Sequence, residues 1–408
     1  MLTMEDKLKK IEAGTIVTTP GFKATGIHTG MKRKRNDLGA IYSEVPANVA
    51  GVYTTNVIQA APLHVTKESI EKEKKLQAII VNSGNANACT GEHGLKDAQT
   101  MRDVTAEKFS IPSHYVGVMS TGVIGLNMPM DKIVPNIEKL TPTSETTDAA
   151  AFNESILTTD SCKKSTCYQT TIAGKVVTMA GSAKGSGMIE PNMATMLSFI
   201  TTDVQIESAM LETALKEVTN KTFNCITVDG DTSTNDTVLV MANGLAKNDA
   251  LTPDHEDWPL FLTLLQKTCE DLAKMIARDG EGATKLIEVS VEGAADDTQA
   301  IQVAKSVVGS SLVKTAVYGT DANWGRIIAA IGYSGADVNP DTIDIALGPI
   351  QMLKNSEPLT FSEEEATAYL ENDDVQILID LNNGDGIGKG WGCDLTYDYV
   401  RINASYRS

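Results

Sequence analysis

The chain has 408 residues, of which 42% are hydrophobic and 22% charged, a composition typical of a globular protein with a large core. Lys and Arg number 35 against 53 Asp and Glu, and the resulting net charge of −18 argues against a nucleic acid or an anionic membrane as partner. No segment approaches the roughly 20 apolar residues that span a bilayer, and the N-terminus lacks the apolar core of a signal peptide, so we expect a cytoplasmic protein.

The first half of the chain is predicted to mix strands and helices. Residues 14–65 consist of short apolar runs interrupted by Gly, Pro and Asn, a pattern typical of β-rich structure with frequent turns. Further along, the spacing of apolar residues predicts strands at 76–84 and 114–125 and helices at about 66–75, 95–109, 128–140 and 147–159.

The second half repeats this mixture. It is predicted to contain a strand at 196–206, a helix at 208–223, a strand–loop–strand segment at 225–244 and a long helix at about 258–278. The last third alternates strands at 285–293, 342–348 and 375–382 with helices at 298–314 and 321–332. Because hairpin-like and strand–helix–strand patterns both occur, we expect α/β layers in which helices cover mixed sheets.

One short segment, GSGMIEPNMATMLSF at 185–199, has the pattern of a nucleophile. Thr195 follows the small residue Ala194, and the turn-forming pair Pro191-Asn192 lies just upstream. A tight turn can press the Thr195 hydroxyl against the Ala194 carbonyl carbon, so that the amide rearranges to an ester and hydrolyses. The freed α-amine, with a pKa near ~8, then serves as base for the hydroxyl of the same residue. The alternative is that Thr195 merely begins the following strand.

Thr121 and Gly122 form a candidate oxyanion hole. They lie in the loop STGVIG, which follows the predicted strand YVGVM. A Thr hydroxyl and an unhindered Gly N–H can donate to one oxygen, as an oxyanion hole requires. The alternative is a tight turn between a strand and a helix that needs glycine for its backbone conformation.

Lys184 and Glu281 are candidate groups for binding a substrate. Lys184 lies among small residues in GSAKGSGMIE, where its compact charge can reach a substrate carboxylate. The alternative is a surface lysine in a flexible loop. Glu281 lies in DGEGATK after the long predicted helix, where it can bind a substrate ammonium group. The alternative is a solvated acid beyond a helix that ends in glycine.

The sequence predicts no metal site and no nucleotide site. The six cysteines are scattered, and Cys162 and Cys167 lack the second pair or nearby His of a zinc site, so we expect reduced thiols. The loop at 228–236 lacks the bidentate Glu and the flanking helices of a calcium loop. The glycines of NNGDGIGKGWG do not open a helix after a strand. The tail at 399–408 keeps a structured pattern, and we expect it to be docked.

Eight blocks of this sequence resemble, in the same order, the ornithine acetyltransferase family, whose members are also called glutamate N-acetyltransferases. The resemblance runs from about residue 14 to Ser408. Eight blocks in register are far more specific than any one of them, so the nucleophile interpretation of Thr195 becomes the expected one. The blocks are TTPGFKATG, VNSGNANACTG, STGVIG, AKGSGMIEPNMATML, CITVDGDTSTNDT, DGEGATK, GTDANWGRI and WGCDLTYDYVRINASYRS.

The resemblance implies a self-cleaving transferase. The cut falls between Ala194 and Thr195 and leaves an α chain of 1–194 and a β chain of 195–408, which stay associated as a heterotetramer of two of each. Thr195 then takes the acetyl group of N-acetylornithine, releases ornithine and passes the acetyl group to glutamate in a ping-pong cycle, with its own amine as the base.

The same resemblance assigns the site residues. Thr121 and Gly122 would form the oxyanion hole. The residues that line the amino-acid site together with Thr195 would be Thr158, Lys184, Glu281, Asn403 and Ser408. No cofactor and no metal is implied, and the resemblance leaves open whether acetyl-CoA is also a substrate.

The implied fold is a layered α/β/β/α-type sandwich with mixed sheets and a smaller C-terminal lobe, of the superfamily that also contains related aminopeptidases. Two alternatives to the transferase stay open. An N-terminal-nucleophile aminopeptidase or amidase would need the same self-cleavage but would release acyl groups to water. A non-enzymatic binding protein on this scaffold would run as one uncut band near 43.6 kDa.

Overall fold

The structure of the chain, a computed structural model, describes residues 3–190 and 196–405 and divides into two compact units. The larger unit comprises Met1–Gly185, Asn192–Asn220 and Thr232–Leu272, and the smaller comprises Ser186–Pro191, Lys221–Asp231 and Ala273–Ser408. The predicted division into an α chain of 1–194 and a β chain of 195–408 concerns a cut in the backbone, and it stays a prediction.

Strands and helices alternate along the described residues. The strands are β1 (Lys9–Lys10), β2 (Phe22–Ile27), β3 (Leu38–Tyr53), β4 (Lys75–Asn85), β5 (Val116–Val123), β6 (Lys164–Ile172), β7 (Lys175–Lys184), β8 (Leu197–Thr202), β9 (Ile226–Thr227), β10 (Thr237–Ala242), β11 (Leu286–Ala294), β12 (Asp344–Leu347), β13 (Ile350–Lys354), β14 (Glu357–Pro358), β15 (Asp374–Asp380) and β16 (Gly386–Cys393). The helices are α1 (Ala61–Glu73), α2 (Gly91–Phe109), α3 (Met130–Ile137), α4 (Thr146–Ser155), α5 (Ser208–Lys221), α6 (Trp258–Arg278), α7 (Asp297–Gly309), α8 (Ser311–Tyr318), α9 (Trp324–Gly332), α10 (Glu363–Leu370) and α11 (Tyr397–Ala404).

A mixed sheet forms the centre of the larger unit. The order of its strands in space is β1-β6-β7-β8-β10-β3-β4-β5, and β2 also pairs with β3. β8 pairs in parallel with β10, and β4 pairs in parallel with β5, whereas the other neighbours are antiparallel. Parallel strands end at the same edge of a sheet, so the residues at the ends of β4 and β5 lie side by side.

Helices pack on both faces of this sheet at β4. Successive side chains of a strand point to opposite faces, so neighbouring residues of β4 belong to different clusters. Ile79 and Val81 of β4 belong to a buried cluster that includes Phe152 of α4 and Phe199 of β8. The rings of Phe152 and Phe199 meet edge to face with their centroids 5.6 Å apart. The alternate residues Ala78 and Ile80 of β4 face a second cluster, to which α1, α2 and α3 contribute. Helices on both faces thus bury β4 and fix where it ends.

A second mixed sheet forms the centre of the smaller unit, with the strand order β14-β13-β12-β15-β11-β16-β9. β11 pairs in parallel with β15, and β16 pairs in parallel with β9. Valines, isoleucines and alanines of β11, β15, α7 and α9 form one buried cluster. In β15 the burial alternates strictly, since Val375, Ile377 and Ile379 are buried and the residues between them are exposed. This alternation indicates a sheet with one packed face.

The prediction of a layered α/β fold with mixed sheets is confirmed, and two predicted helices have different bounds. α1 begins at Ala61 instead of about residue 66, because Pro62 occupies its first turn, where the missing N–H is tolerated. The helix predicted over 298–314 is two helices. It breaks at Ser310, whose side chain accepts a hydrogen bond from the N–H of Val313 and so begins α8.

None of the helices in residues 3–190 and 196–405 combines the length and the apolar character that crossing a membrane requires.

Candidate active site

The parallel strands β4 and β5 end side by side in the larger unit. Gly84 pairs with Gly122, and Ser83 pairs with Thr121. Gly122 has a φ of 133°, and a Cβ at this position would lie 2.4 Å from the carbonyl carbon of Gly84. Glycine is therefore needed because two strands approach each other closely. Thr121 and Gly122 lie in β5 and not in a turn between a strand and a helix.

Buried amide side chains hold the end of β5. Asn235 donates from Nδ2 to the carbonyl oxygen of Ser120 over 2.8 Å and to that of Ala86 over 2.6 Å. The Ser120 hydroxyl donates to Asn82 Oδ1 over 2.5 Å. Because Asn235, Ser120 and Asn82 are buried, removing one partner leaves an unsatisfied polar atom at a cost of about 1–3 kcal/mol. This network fixes the backbone of Thr121 before any substrate binds, as oxyanion donors require.

Lys184 is the last residue of β7 and is buried, with 8% of its surface exposed. The alternative of a surface lysine in a flexible loop is therefore wrong. Its Nζ donates to Thr121 Oγ1 over 3.4 Å. Because the Thr121 oxygen accepts this hydrogen bond, the hydroxyl hydrogen can point to another acceptor. An ammonium group and a hydroxyl donor beside each other suit a ligand with negatively charged or carbonyl oxygens.

The turn after α4 connects Thr158 with the segment that contains Lys184. Thr158 is half-buried, and its N–H donates to Asp160 Oδ2 over 2.9 Å. Asp160 Oδ1 accepts from the N–H of Gly185 over 2.7 Å and from Lys164 Nζ over 2.8 Å. Asp160 therefore connects Thr158 with the residue that follows Lys184. The larger unit thus brings Thr121, Gly122, Thr158 and Lys184 into one network of contacts.

Asp160 and Lys164 were not singled out in the sequence. Both are buried and form an ion pair four residues apart. Burial would raise the pKa of the Asp160 carboxyl, but the positive charges of Lys184 and Lys164 outweigh burial and hold this pKa well below its usual range. Their signal in the sequence is the spacing Asp-x-x-x-Lys in DSCKK, a pattern that is most often an exposed charge pair.

Glu281 follows α6 in the smaller unit and is buried, with 8% of its surface exposed. The alternative of a solvated acid is therefore wrong. Asn403 of α11 donates from Nδ2 to Glu281 Oε2 over 2.7 Å. Among the residues that the structure describes, no Lys, Arg or His forms an ion pair with Glu281. A buried carboxylate held by a neutral amide has lone pairs left for the ammonium group of a ligand.

Two glycines allow close packing around Glu281. A Cβ at Gly187 would lie 2.4–2.5 Å from the carboxylate atoms of Glu281. A Cβ at Gly282, where φ is 71°, would lie 2.7 Å from the backbone nitrogen of Tyr399 in α11. These close approaches explain why the loop around Glu281 is rich in glycine.

Three predicted residues cannot be located. Ala194, Thr195 and Ser408 lie outside the described residues, and their roles stay predictions.

The tail residues Tyr399 and Asn403 belong to α11, and the Tyr399 hydroxyl donates to Asp229 Oδ2 over 3.2 Å. The loop that resembled a calcium site uses Asp229 differently, since its carboxylate accepts the backbone N–H groups of Met188 and Ile189. Within the described ranges, no group of three or more His, Cys, Asp or Glu side chains is placed to hold a metal ion.

Comparisons with known proteins point to one family. The model of the ArgJ family matches residues 23–408. The arginine biosynthesis bifunctional protein ArgJ of Halalkalibacterium halodurans is 66% identical over 400 residues, which cover 98% of this chain and 97% of that protein. A crystal structure of the argJ protein from Bacillus halodurans is 69% identical with a TM-score of 0.51, and it covers 52% of this chain and 100% of the solved chain. A crystal structure of ornithine acetyltransferase from Mycobacterium tuberculosis, complexed with ornithine, is 30% identical with a TM-score of 0.43, and it covers 46% of this chain and 99% of the solved chain.

The family match and the full-length relatives agree with the resemblance read from the eight sequence blocks. The prediction of an acyltransferase enzyme of arginine biosynthesis is confirmed. This chain belongs to the ArgJ family.

Proposed function

We propose that this chain transfers the acetyl group of N2-acetylornithine to glutamate, giving ornithine and N-acetylglutamate, through an acetyl ester of Thr195 that forms after self-cleavage at Ala194-Thr195. The observation that carries the proposal is the buried Lys184 ammonium group in contact with the Thr121 hydroxyl. It supplies a cation for a substrate carboxylate and an oxyanion donor in one place.

Thr195 performs the chemistry in this proposal. Its hydroxyl oxygen attacks the acetyl carbonyl carbon, and its own α-amine accepts the hydroxyl proton. The Thr121 hydroxyl and the Gly122 N–H stabilise the negative charge on the acetyl oxygen. The bond to N2 of ornithine then breaks as the α-amine returns the proton to the leaving nitrogen. Glutamate reverses these steps with its own amine as the attacking group, and N-acetylglutamate leaves.

One cation serves both half-reactions. N-acetylornithine and glutamate both carry an α-carboxylate, which we assign to Lys184. We also propose that Thr158 and Ser408 bind the amino-acid substrates. Glu281, supported by Asn403, binds the side-chain ammonium group of N-acetylornithine, since it is buried and forms no ion pair with a Lys, Arg or His among the described residues. A site closed to water is needed because hydrolysis of the acetyl ester would compete with transfer.

The lengths of related chains support self-cleavage. The ArgJ protein of Halalkalibacterium halodurans aligns with 98% of this chain, whereas the argJ crystal chain, matched over 100% of its own length, covers only 52%. A chain of that size is what a cut between residues 194 and 195 leaves. We also propose that the two pieces assemble as a heterotetramer of two of each and act in the cytoplasm.

The word bifunctional in the relatives' names supports a second reaction, in which acetyl-CoA acetylates Thr195 and so starts the cycle. No bound cofactor is needed for either reaction. An assay with acetyl-CoA and glutamate tests the second reaction by the formation of N-acetylglutamate in the absence of N-acetylornithine.

The transferase is tested by incubating the enzyme with N-acetylornithine, with and without glutamate. We expect ornithine release to depend on glutamate beyond the first turnover and to match N-acetylglutamate formation one to one. Ornithine release that ignores glutamate would identify an amidase instead. A single band near 43.6 kDa on denaturing electrophoresis, with no transfer, would identify a binding protein.

Replacing Lys184 with Met is expected to raise KM for both substrates by roughly ten- to a hundredfold, because a hydrogen bond to a charged group contributes about 1.5–3 kcal/mol. Steady-state kinetics with each substrate measures the effect. Lys175→Met is the matched control, since Lys175 lies at the exposed start of the same strand. If KM rose for only one substrate, the two half-reactions would not share this cation.

Replacing Gly187 with Ala is expected to displace the Glu281 carboxylate and to raise KM for N-acetylornithine by roughly tenfold, while the fold is kept. The added Cβ meets the end of a flexible side chain, which can move without distorting the backbone. KM and the melting temperature should be measured together. Gly332→Ala in α9 is the control, because a Cβ there meets nothing within 4 Å. An unchanged KM for Gly187→Ala would argue against Glu281 as a binding group.

A further inference from the structure

Asp160 is a buried carboxylate that receives hydrogen bonds from both segments that carry proposed substrate-binding residues. Its Oδ2 accepts the N–H of Thr158 itself, over 2.9 Å. Its Oδ1 accepts the N–H of Gly185, the residue bonded directly to Lys184, over 2.7 Å. Only 1% of Asp160 is exposed. One carboxyl group thus holds the backbone of Thr158 and of Gly185, the neighbour of Lys184, in place.

The turn that holds Asp160 is itself anchored. The Arg35 guanidinium donates to the Asp160 carbonyl oxygen over 2.8 Å, and Lys32 Nζ donates to the Leu157 carbonyl oxygen over 3.0 Å. Lys164, which is fully buried, pairs with Asp160 over 2.8 Å. A carboxylate with this many donors is held in one orientation.

The Asp160 carboxylate interacts with the charges of several lysines. Lys164 and Lys184 are buried ammonium groups, and Asp160 is the buried carboxylate between them. Burial lowers the pKa of the half-buried Lys32 to about 8, although the negative charges of Asp37, Glu154 and Asp160 oppose this shift. Asp160 stays ionised because Lys184 and Lys164 outweigh its burial and lower its pKa. Asp160 therefore offsets positive charge that is buried beside Thr158 and Lys184.

We propose that Asp160 is a positioning residue for both amino-acid substrates: by accepting the N–H groups of Thr158 and Gly185 while it pairs with Lys164, it holds Thr158 and Lys184 in the orientation that binds the substrate. This inference rests on the proposed function, in which Thr158 and Lys184 bind the amino acid. In this proposal Asp160 acts through Thr158 and Lys184 and not by direct contact with the substrate.

The test compares Asp160→Asn with the double variant Asp160→Asn/Lys164→Met. The single variant removes the negative charge beside the buried Lys164 ammonium group, so we expect lower stability. The double variant restores the charge balance of the buried pair and is expected to recover much of the stability. In both variants we expect KM for N-acetylornithine and for glutamate to rise about tenfold or more, with a much smaller change in kcat.

Asp271→Asn is the matched control in the same unit. Asp271 accepts hydrogen bonds from Lys10, Thr166 and Tyr168, so its loss should lower stability. Among the described residues, neither Thr158 nor Lys184 forms a hydrogen bond or ion pair with Asp271, so KM should stay at the wild-type value.

The results distinguish a failure of the Asp160 role from a failure of the proposed binding site. If the double variant folds and both KM values equal those of the wild type, the positioning role of Asp160 is wrong. If Lys184→Met also leaves KM unchanged, the assignment of Lys184 fails as well, and with it the proposed binding site. If Lys184→Met raises KM and the Asp160 variants do not, only the role of Asp160 is overturned.

Discussion

Replacing Thr195 with Ala is expected to leave one uncut chain near 43.6 kDa and to abolish acetyl transfer. Alanine has no hydroxyl to attack the preceding carbonyl carbon, so the backbone stays intact. The same change removes the nucleophile of the transfer, and an intact peptide bond leaves no α-amine to act as base. We expect the rate to fall by at least roughly a thousandfold, as in other enzymes that lose their nucleophile. Denaturing electrophoresis and the ornithine-release assay measure the two effects on the same sample.

Thr195→Ser is the control, because serine keeps the hydroxyl and loses only a methyl group. It is expected to cleave itself and to retain measurable transfer. A Thr195→Ala protein that ran as two bands would contradict the cleavage site, and one that stayed uncut but transferred acetyl groups would contradict the nucleophile. The two acts of the hydroxyl are thus tested separately.

The type of most long elements could be predicted from the sequence because their hydrophobic patterns are strong. The strand predicted at 76–84 corresponds to β4 at Lys75–Asn85, and the helix predicted at about 258–278 corresponds to α6. Their apolar residues are continuous or helically spaced over many positions, so local pattern and tertiary burial agree.

The hairpin of β6 and β7 was missed because its turn has an unusual residue. Ala173 and Gly174 connect the strands, both with positive φ, and a type I′ turn of this kind ordinarily begins with Asn, Asp or Gly. The N–H of Ala173 donates to Asp257 Oδ2 over 2.7 Å. A contact with a residue far along the chain therefore supports the turn, and no local pattern reveals it.

The candidate site could also be predicted only in part from the sequence. Resemblance of the sequence blocks pointed to Lys184 and Glu281, but their burial, which excludes the surface alternatives, follows only from the packing of the sheets. Asp160 could not be found from its spacing, since an Asp and a Lys four residues apart are most often a solvated pair. Its importance comes from the N–H groups of Thr158 and Gly185, which only the folded chain brings to one carboxylate.

Replacing Gly122 with Ala is expected to lower kcat by roughly a hundredfold or more, the effect of losing one oxyanion donor. A Cβ at this position would lie 2.4 Å from the Gly84 carbonyl carbon and 2.5 Å from the Asn85 nitrogen. Both are backbone atoms and cannot move aside alone, so β5 must shift and carry the Gly122 N–H with it. The φ of 133° adds strain of about 1–3 kcal/mol for a residue with a side chain. The melting temperature should therefore fall together with kcat.

Gly125→Ala separates strain from displacement. Gly125 also has a positive φ, of 80°, but a Cβ there meets nothing within 4 Å. It is expected to lower the melting temperature slightly and to leave kcat near the wild-type value, because the end of β5 does not move. Steady-state kinetics and thermal unfolding of both variants decide the point. If Gly122→Ala lost stability but kept kcat, the close approach of β4 and β5 would explain this glycine completely, and the oxyanion donor would have to be sought elsewhere.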